Sequence, residues 1–225
     1  MKKVVVLTGA GISAESGIKT FRDMGGLWES YNIEDVASID GWYRNKELVL
    51  NFYNSRRSEL EFAKPNNGHL LLAELEKHCN VTIITQNVDN LHERAGSSNI
   101  IHLHGELTKV RCSITDDEVT DIGYKQIKIG DKSSKGHQLR PHIVWFGEAV
   151  PLINKAVEIT QTADILIIVG TSMQVYPAAS LIQYVQKNTP IYFVDPNPAI
   201  QSTDRITVIA EPASTGVKKV LQVIV

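Results

Sequence analysis

The stretch Val4-Val5-Val6-Leu7-Thr8-Gly9-Ala10-Gly11-Ile12-Ser13-Ala14 decides how the chain folds. Its first four residues are apolar without alternation, the pattern of a strand covered on both faces. They lead into G-x-G-x-x-A, a variant of the dinucleotide fingerprint whose glycines let backbone N–H groups approach a pyrophosphate at a helix N-terminus. A tight strand-to-helix turn that needs glycine for positive φ would use the same residues, so the motif alone leaves both readings open.

Working outward, Val81 to Thr85, Ile165 to Val169, Ile191 to Val194 and Ile206 to Ile209 repeat the character of Val4 to Leu7. Helix-like stretches lie between them, such as Gly68 to His78 with Leu70, Leu71, Leu72 and Leu75, and Pro177 to Lys187 with Ala178, Leu181, Ile182 and Val185. The alternation predicts an α/β fold, a Rossmann-like open parallel sheet with helices on both faces. Polar or glycine residues follow the strands at Thr8-Gly9, Gln86-Asn87, Gly170-Thr171-Ser172 and Asp195-Pro196-Asn197, marking the carboxyl ends where such sheets bind ligands. No second strand follows the first closely enough to present the usual ribose-binding acid, which makes Asp195 the better candidate for that contact. Residues 27–62 and 108–142 break the alternation. The second of these is polar and holds the alternating run Tyr124-Lys125-Gln126-Ile127-Lys128-Ile129, read as hairpin-like. Both are expected to form a small inserted lobe, with 1–26, 63–107 and 143–225 as the sheet domain.

The chain has 225 residues, 43% of them apolar and 21% charged, enough to bury a core in one large domain or a domain with an insertion. Its formal charge of −2 gives no net field toward nucleic acid or an anionic membrane. No apolar run is long enough for a spanning helix, and the run after Met1-Lys2-Lys3 is too short for a signal segment. The two cysteines, Cys79 and Cys112, cannot build a disulfide framework, and a reducing cytoplasm is the expected location.

The longer string from Gly9 through Phe21-Arg22-Asp23 resembles the signature of the sirtuin (Sir2) family, NAD-dependent protein-lysine deacylases. Further blocks agree in order: Thr85-Gln86-Asn87-Val88-Asp89-Asn90-Leu91-His92, Leu103-His104-Gly105-Glu106-Leu107, Val144-Trp145-Phe146-Gly147-Glu148, and Gly170-Thr171-Ser172 with Val175-Tyr176-Pro177-Ala178. The resemblance implies NAD as co-substrate, with Phe21 covering its labile sugar and Ser13, Asn87 and Asp89 lining the nicotinamide pocket. It extends the cofactor site to Gly9, Ala10, Gly11, Ala14, Arg22, Asp23 and Gln86. Gly170, Thr171, Ser172, Asp195, Pro196, Asn197 and Ala213 complete it. His104 is the implied catalytic base, acting with Asn87. A histidine titrating near neutrality can take a proton from a ribose hydroxyl and so let the sugar attack an O-alkylamidate. His102, two residues away on an extended segment, shares its face, but the family pattern places the base directly before Gly105. His69, His78, His92, His137 and His142 are read as structural.

Acyl-lysine proteins or peptides are the implied partners, clamped by β-augmentation between Val144 to Glu148 and Met173 to Tyr176, with Val144 and Phe146 flanking an acyl tunnel. Gly147, Glu148, Val175 and Tyr176 belong to the same binding set. On a helix Tyr53 and Arg56 share a face, so a phenol and a guanidinium can converge on one carboxylate. The pair resembles the Tyr-x-x-Arg of class III sirtuins, which accept succinyl, malonyl and glutaryl groups, and Ala37 matches the small residue that widens their pocket. One departure stands out: the family's two cysteine pairs for a structural zinc are reduced to Cys112, so no zinc is expected. The expected activity is deacylation of acidic and acetyl lysines by a monomer. A plain deacetylase or ADP-ribosyltransferase, and a non-catalytic NAD-sensing module, are the alternatives.

Overall fold

A computed structural model describes residues 1–19, 31–115 and 118–225. Six parallel strands form the main sheet: β1 (Lys3–Thr8), β2 (Asn80–Thr85), β3 (Ile100–His102), β7 (Ile165–Val169), β8 (Ile191–Val194) and β9 (Ile206–Ile209), in the order β3-β2-β1-β7-β8-β9. β1 is central, pairing Val4 to Thr8 with Val81 to Thr85 on one side and with Ile165 to Val169 on the other. Connections leave β1 in both directions, so a crevice opens between the carboxyl ends of β1 and β7, where open α/β sheets bind ligands.

The unbroken apolar run of β1 follows from this position. Val4 and Val6 point into a core shared with Leu72 of the Asn67–Leu75 helix and Val217 of the Ala213–Ile224 helix. Val5 and Leu7 point into the opposite core with Ala156 of the Ile153–Gln161 helix and Leu181. Period-two alternation therefore meets apolar packing on both faces.

A smaller antiparallel sheet, β5 (Val119–Asp121), β4 (Gly105–Cys112) and β6 (Leu139–Ile143), carries the second lobe. Helices Ile33–Val36, Ile39–Arg44 and Lys46–Phe62 pack with it around Trp42, Phe52, Leu60, Val110 and Trp145. The Lys46–Phe62 helix starts where the Asn45 side chain accepts from the Leu48 N–H at 3.0 Å.

Two sequence expectations are corrected here. Tyr124 to Ile129 is an irregular loop rather than part of a hairpin; the strand of this region is β5, just before it. Asn54 explains why the loop needs no ladder, because its side chain donates to Ile127 O at 2.8 Å and accepts from Ile127 N at 2.9 Å. The fully buried Arg57 extends the staple, donating Nη1 to Asn54 Oδ1 and Nε to Leu107 O, both at 2.8 Å. The stretch after Pro177 is a 3₁₀ helix, Ala178–Gln183, ending in turns rather than an α-helix to Lys187.

His69 and His92, fully buried and in edge contact at 4.9 Å, lie beneath the sheet edge. The backbone N–H of Asn66 donates to His69 Nδ1 at 3.3 Å, which requires that nitrogen unprotonated. Burial, opposed by the Glu15 charge, pushes the His69 pKa down to about 4, and burial with neighbouring His69 and His102 lowers that of His92. Below pH 6.5 the unfolded chain thus takes up a proton that the folded chain refuses. The contribution of these two histidines is flat above neutrality and falls on acidification, His69 alone removing about 2 kcal/mol by pH 5. Urea midpoints at pH 7.5 and pH 5 check this, and His69→Gln is expected to flatten the difference.

Candidate functional site

The turns after β1 and β7 interlock at the crevice. Gly9 N donates to Val169 O at 3.1 Å and Gly11 N to Gly170 O at 2.8 Å. A Cβ on Gly11 would sit 2.7 Å from Gly170 Cα, and one on Gly170, at φ +61°, 2.2 Å from Ile12 N. Glycine is thus required by close backbone approach, and the fingerprint's Ala10, Ser13 and Ala14 follow at the mouth of the Gly11–Ala14 turn of helix.

The turn after β2 closes over this cradle. Asn87 Nδ2 donates to Gly9 O at 3.1 Å and to Ser13 Oγ at 3.2 Å, and Ser13 Oγ donates to Asp89 Oδ2 at 2.9 Å. Gln86 Nε2 reaches Thr171 Oγ1 at 3.1 Å, tying the turns after β2 and β7 together. Burial raises the Asp89 pKa, against the Leu91 N–H and Ser13 hydroxyl that stabilise its ionised form. The structure therefore brings Gly9, Gly11, Ser13, Gln86, Asn87, Asp89, Gly170 and Thr171 to one edge. Ser172 lies exposed beside them.

His104 stands at the same edge, with Nδ1 3.0 Å from Gln86 O. A carbonyl only accepts, so Nδ1 carries the proton and Nε2 the lone pair. Burial lowers the His104 pKa, the Gln86 hydrogen bond opposing it, so the ring is neutral at pH 7. This is the protonation state a general base requires.

Asp195 ends β8, on the far side of β7, and its Oδ1 accepts from Asn197 N at 2.8 Å to close a turn with Pro196. Ala213 opens the Ala213–Ile224 helix, is buried, and packs on Gly68. Phe21, Arg22 and Asp23 lie outside the described residues.

Tyr53 and Arg56 project from the Lys46–Phe62 helix. Tyr53 is 6% exposed, and its hydroxyl accepts from Trp145 Nε1 at 2.9 Å. The phenol proton remains to be donated, and burial pushes its pKa well above the ordinary range. The Arg56 side chain is 12% exposed, with Nη1 2.6 Å from Glu59 Oε2 and Nη2 3.4 Å from Lys19 O. The side chain is thus largely covered, and its charge acts on both Tyr53 and Asp89. Ala37 belongs to the core around Tyr53 and Trp145.

The expected peptide clamp is altered in two respects. Neither Val144 to Glu148 nor Met173 to Tyr176 is a strand. Phe146, 52% exposed, spends its backbone on the small lobe, donating to Ala37 O at 2.9 Å and accepting from Ile39 N at 3.2 Å, and Gly147 turns away at φ +90°. Val144 N donates to His104 O at 2.9 Å. Met173 has φ +55°, which breaks extension before the half-buried Val175 and the 70% exposed Tyr176. The Glu148 carboxylate accepts from Arg140 at 2.7 and 2.9 Å, Arg111 at 3.1 Å and Trp145 N at 2.8 Å. Arg140 lies 3.4 Å over the Trp145 ring, so Glu148, Arg140, Trp145 and Tyr53 form one continuous chain of contacts. Sequence reading gave neither Arg140 nor Trp145 a role, although Trp145 stands inside the Val144 to Glu148 block and Arg140 four residues before it.

In the small lobe, Cys112 is buried beside the hydroxyls of Ser133 and Thr115, which hold its pKa down at about 7. One thiol with two neutral hydroxyls does not fit a closed tetrahedral zinc site. Among the described residues, the one group with metal-ligand donors in reach of each other is Glu93, His102 and Glu106, elsewhere in the fold.

The fold and this edge define a nucleotide-binding α/β protein with a neutral histidine beside the cradle. The Sir2 family model matches residues 9–177, and the chain belongs to the Sir2 family. It is 57% identical to an NAD-dependent protein deacylase of Bacteroides thetaiotaomicron over 233 residues, covering 100% of this chain and 99% of that protein. A protein of the same name from Helicobacter pylori is 58% identical over 196 residues, 87% of this chain and 85% of the relative. Among solved structures, a Sir2 homologue in complex with NAD superimposes with a TM-score of 0.88 at 39% identity, covering 99% of this chain and 90% of that one. A Sir2 protein bound to an acetylated peptide gives 0.79 at 29% identity, covering 97% and 92%.

Proposed function

We propose that the protein is an NAD-dependent protein-lysine deacylase that removes succinyl and malonyl groups in preference to acetyl, releasing nicotinamide, the free lysine and an O-acyl-ADP-ribose. The observation that carries this reading is the largely covered Arg56 one helical turn from a buried Tyr53 whose phenol proton has no acceptor among the described residues. The pyrophosphate is placed at the glycine turns after β1 and β7, at the carboxyl edge of the sheet beside the start of the Gly11–Ala14 turn of helix. Asn87, Ser13 and Asp89 orient the nicotinamide amide, and His104 Nε2 takes the proton of a ribose hydroxyl. Tyr53 and Arg56 hold the carboxylate of an acidic acyl tail. A second reading, a plain deacetylase, draws on the Glu59 carboxylate that already partners Arg56. We further propose that the small lobe folds without zinc, supported by the single thiol at Cys112 and the Asn54–Arg57 staple.

Nicotinamide release on one peptide carrying succinyl-, malonyl- or acetyl-lysine tests the reading. Acidic groups are expected to give kcat/KM about tenfold or more above acetyl, the worth of a charge-assisted hydrogen bond. Equal or better use of acetyl returns the plain deacetylase. Metal analysis of the protein as purified is expected to find no zinc, with turnover intact after chelator treatment; one zinc per chain whose removal unfolds the lobe overturns that part.

A further inference from the structure

We propose that His102, held as an imidazolium between Glu93 and the carbonyl of Asn87, is a positioning residue that sets the nicotinamide-binding amide of Asn87. The inference rests on the reading of Asn87 as part of the nicotinamide pocket and adds a charged support beneath it.

His102 ends β3 and His104 lies in the turn that follows it. Each directs Nδ1 at a carbonyl of the turn after β2: His102 at Asn87 O and His104 at Gln86 O, both at 3.0 Å. Because a carbonyl only accepts, both Nδ1 atoms carry hydrogen. The two rings differ at the other nitrogen. His102 Nε2 lies 2.7 Å from Glu93 Oε1, and a carboxylate also only accepts, so His102 is protonated on both nitrogens. His104 has the lone pair there. Adjacent carbonyls of one turn are thus gripped by a cation and by a neutral base.

The surroundings favour that charge. Glu93 and Glu106 face the ring, Lys109 binds Glu106 at 2.6 Å, and Asp89 and His92 lie within its field. Hydrogen bonding to Glu93 and the two carboxylates raise the His102 pKa against its burial. Glu93, His102 and Glu106 also have metal-type donors within 4.8 Å of one another, but the ring nitrogen that would ligate is already bonded to Glu93.

The consequence falls on Asn87. Its N–H donates to Thr85 Oγ1 at 3.0 Å and its Nδ2 reaches Gly9 O and Ser13 Oγ. Its carbonyl, held by His102, fixes the next peptide plane, so that both planes flanking the Asn87 Cα are restrained. Releasing that carbonyl lets the amide rotate away from the cradle while leaving the peptide-binding and acyl-binding residues in place.

The test is nicotinamide inhibition of peptide-dependent turnover in chelator-treated protein, read beside the KM for acyl peptide. His102→Leu is expected to raise the nicotinamide inhibition constant roughly fivefold, the worth of about one hydrogen bond, with peptide KM within twofold. His102→Gln, which restores one neutral donor without the charge, is expected to recover only part of it. In Glu93→Gln the inhibition is expected to weaken at a lower pH than in wild type, because the ring loses its anionic partner. An unchanged constant in folded His102→Leu overturns the proposal, as does a parallel rise in nicotinamide constant and peptide KM. A pH profile of Glu93→Gln that matches wild type also overturns it, even if His102→Leu does not fold. A constant that collapses in wild type on chelation would instead reveal a metal at this cluster. Asn87→Ala separates the underlying reading: unaltered calorimetric NAD binding and nicotinamide competition there would remove Asn87 from the pocket, whatever His102 does.

Discussion

Alanine at position 104 is expected to lower peptide-dependent turnover by about 10²- to 10⁴-fold, the usual contribution of a positioned general base. The geometry makes the loss specific. Gln86 O fixes the proton on Nδ1, so the lone pair of Nε2 is always presented, and burial keeps the ring neutral at pH 7. A group whose pKa is depressed acts as base above that depressed value, so the acid limb of the wild-type rate profile should lie below pH 6.5, with a plateau at higher pH. His104→Ala removes this limb along with the rate. It gives up one hydrogen bond of a half-buried ring, so stability should change by only about 1 kcal/mol. Nicotinamide release during peptide turnover, measured from pH 5 to 9 beside thermal unfolding, checks the set. An unchanged rate in the variant would remove His104 as the base. An inert wild type that still binds NAD would favour a sensing module.

Much of the nucleotide-binding half was legible because close packing leaves few alternatives. Gly9 and Gly11 admit no side chain against Gly170, and the two-faced burial of Val4 to Leu7 leaves an unbroken apolar run. β3 escaped notice because three residues, Ile100 to His102, are too short to show a period. The small lobe was less readable for a different reason. Alternation at Tyr124 to Ile129 suggested a ladder, yet the loop is held by side-chain bonds from Asn54, 73 positions away in sequence, which no local pattern reveals. Glu148 stands in a family block beside exposed residues and reads as a substrate contact. Only the approach of Arg140 and Arg111 shows its carboxylate committed to support. Where roles came from residue type and spacing on one helix, as for Tyr53 and Arg56, the partners Trp145 and Glu59 remained for the structure to supply.

Arg56→Met is expected to lower kcat/KM on a succinyl-lysine peptide by roughly 10- to 100-fold, with acetyl-lysine within about threefold. The range follows from a charge-assisted hydrogen bond worth about 1.5–3 kcal/mol at about 1.4 kcal/mol per tenfold. Methionine preserves the packing of a side chain that is only 12% exposed, so the change is mainly one of charge. Tyr53→Phe would be a poorer probe, because it strands the buried Trp145 indole N–H that the phenol oxygen now accepts. Glu59 sets the size of the effect. Its carboxylate bonds Nη1 and partly neutralises the guanidinium, while the fork of five donors leaves others for an incoming acyl carboxylate. Buried against Tyr53 and short of solvent, those remaining donors gain more from a carboxylate than an exposed arginine would. Steady-state assays of both peptides with both proteins decide the matter: a loss shared equally by succinyl and acetyl would show Arg56 supporting the helix rather than reading the charge.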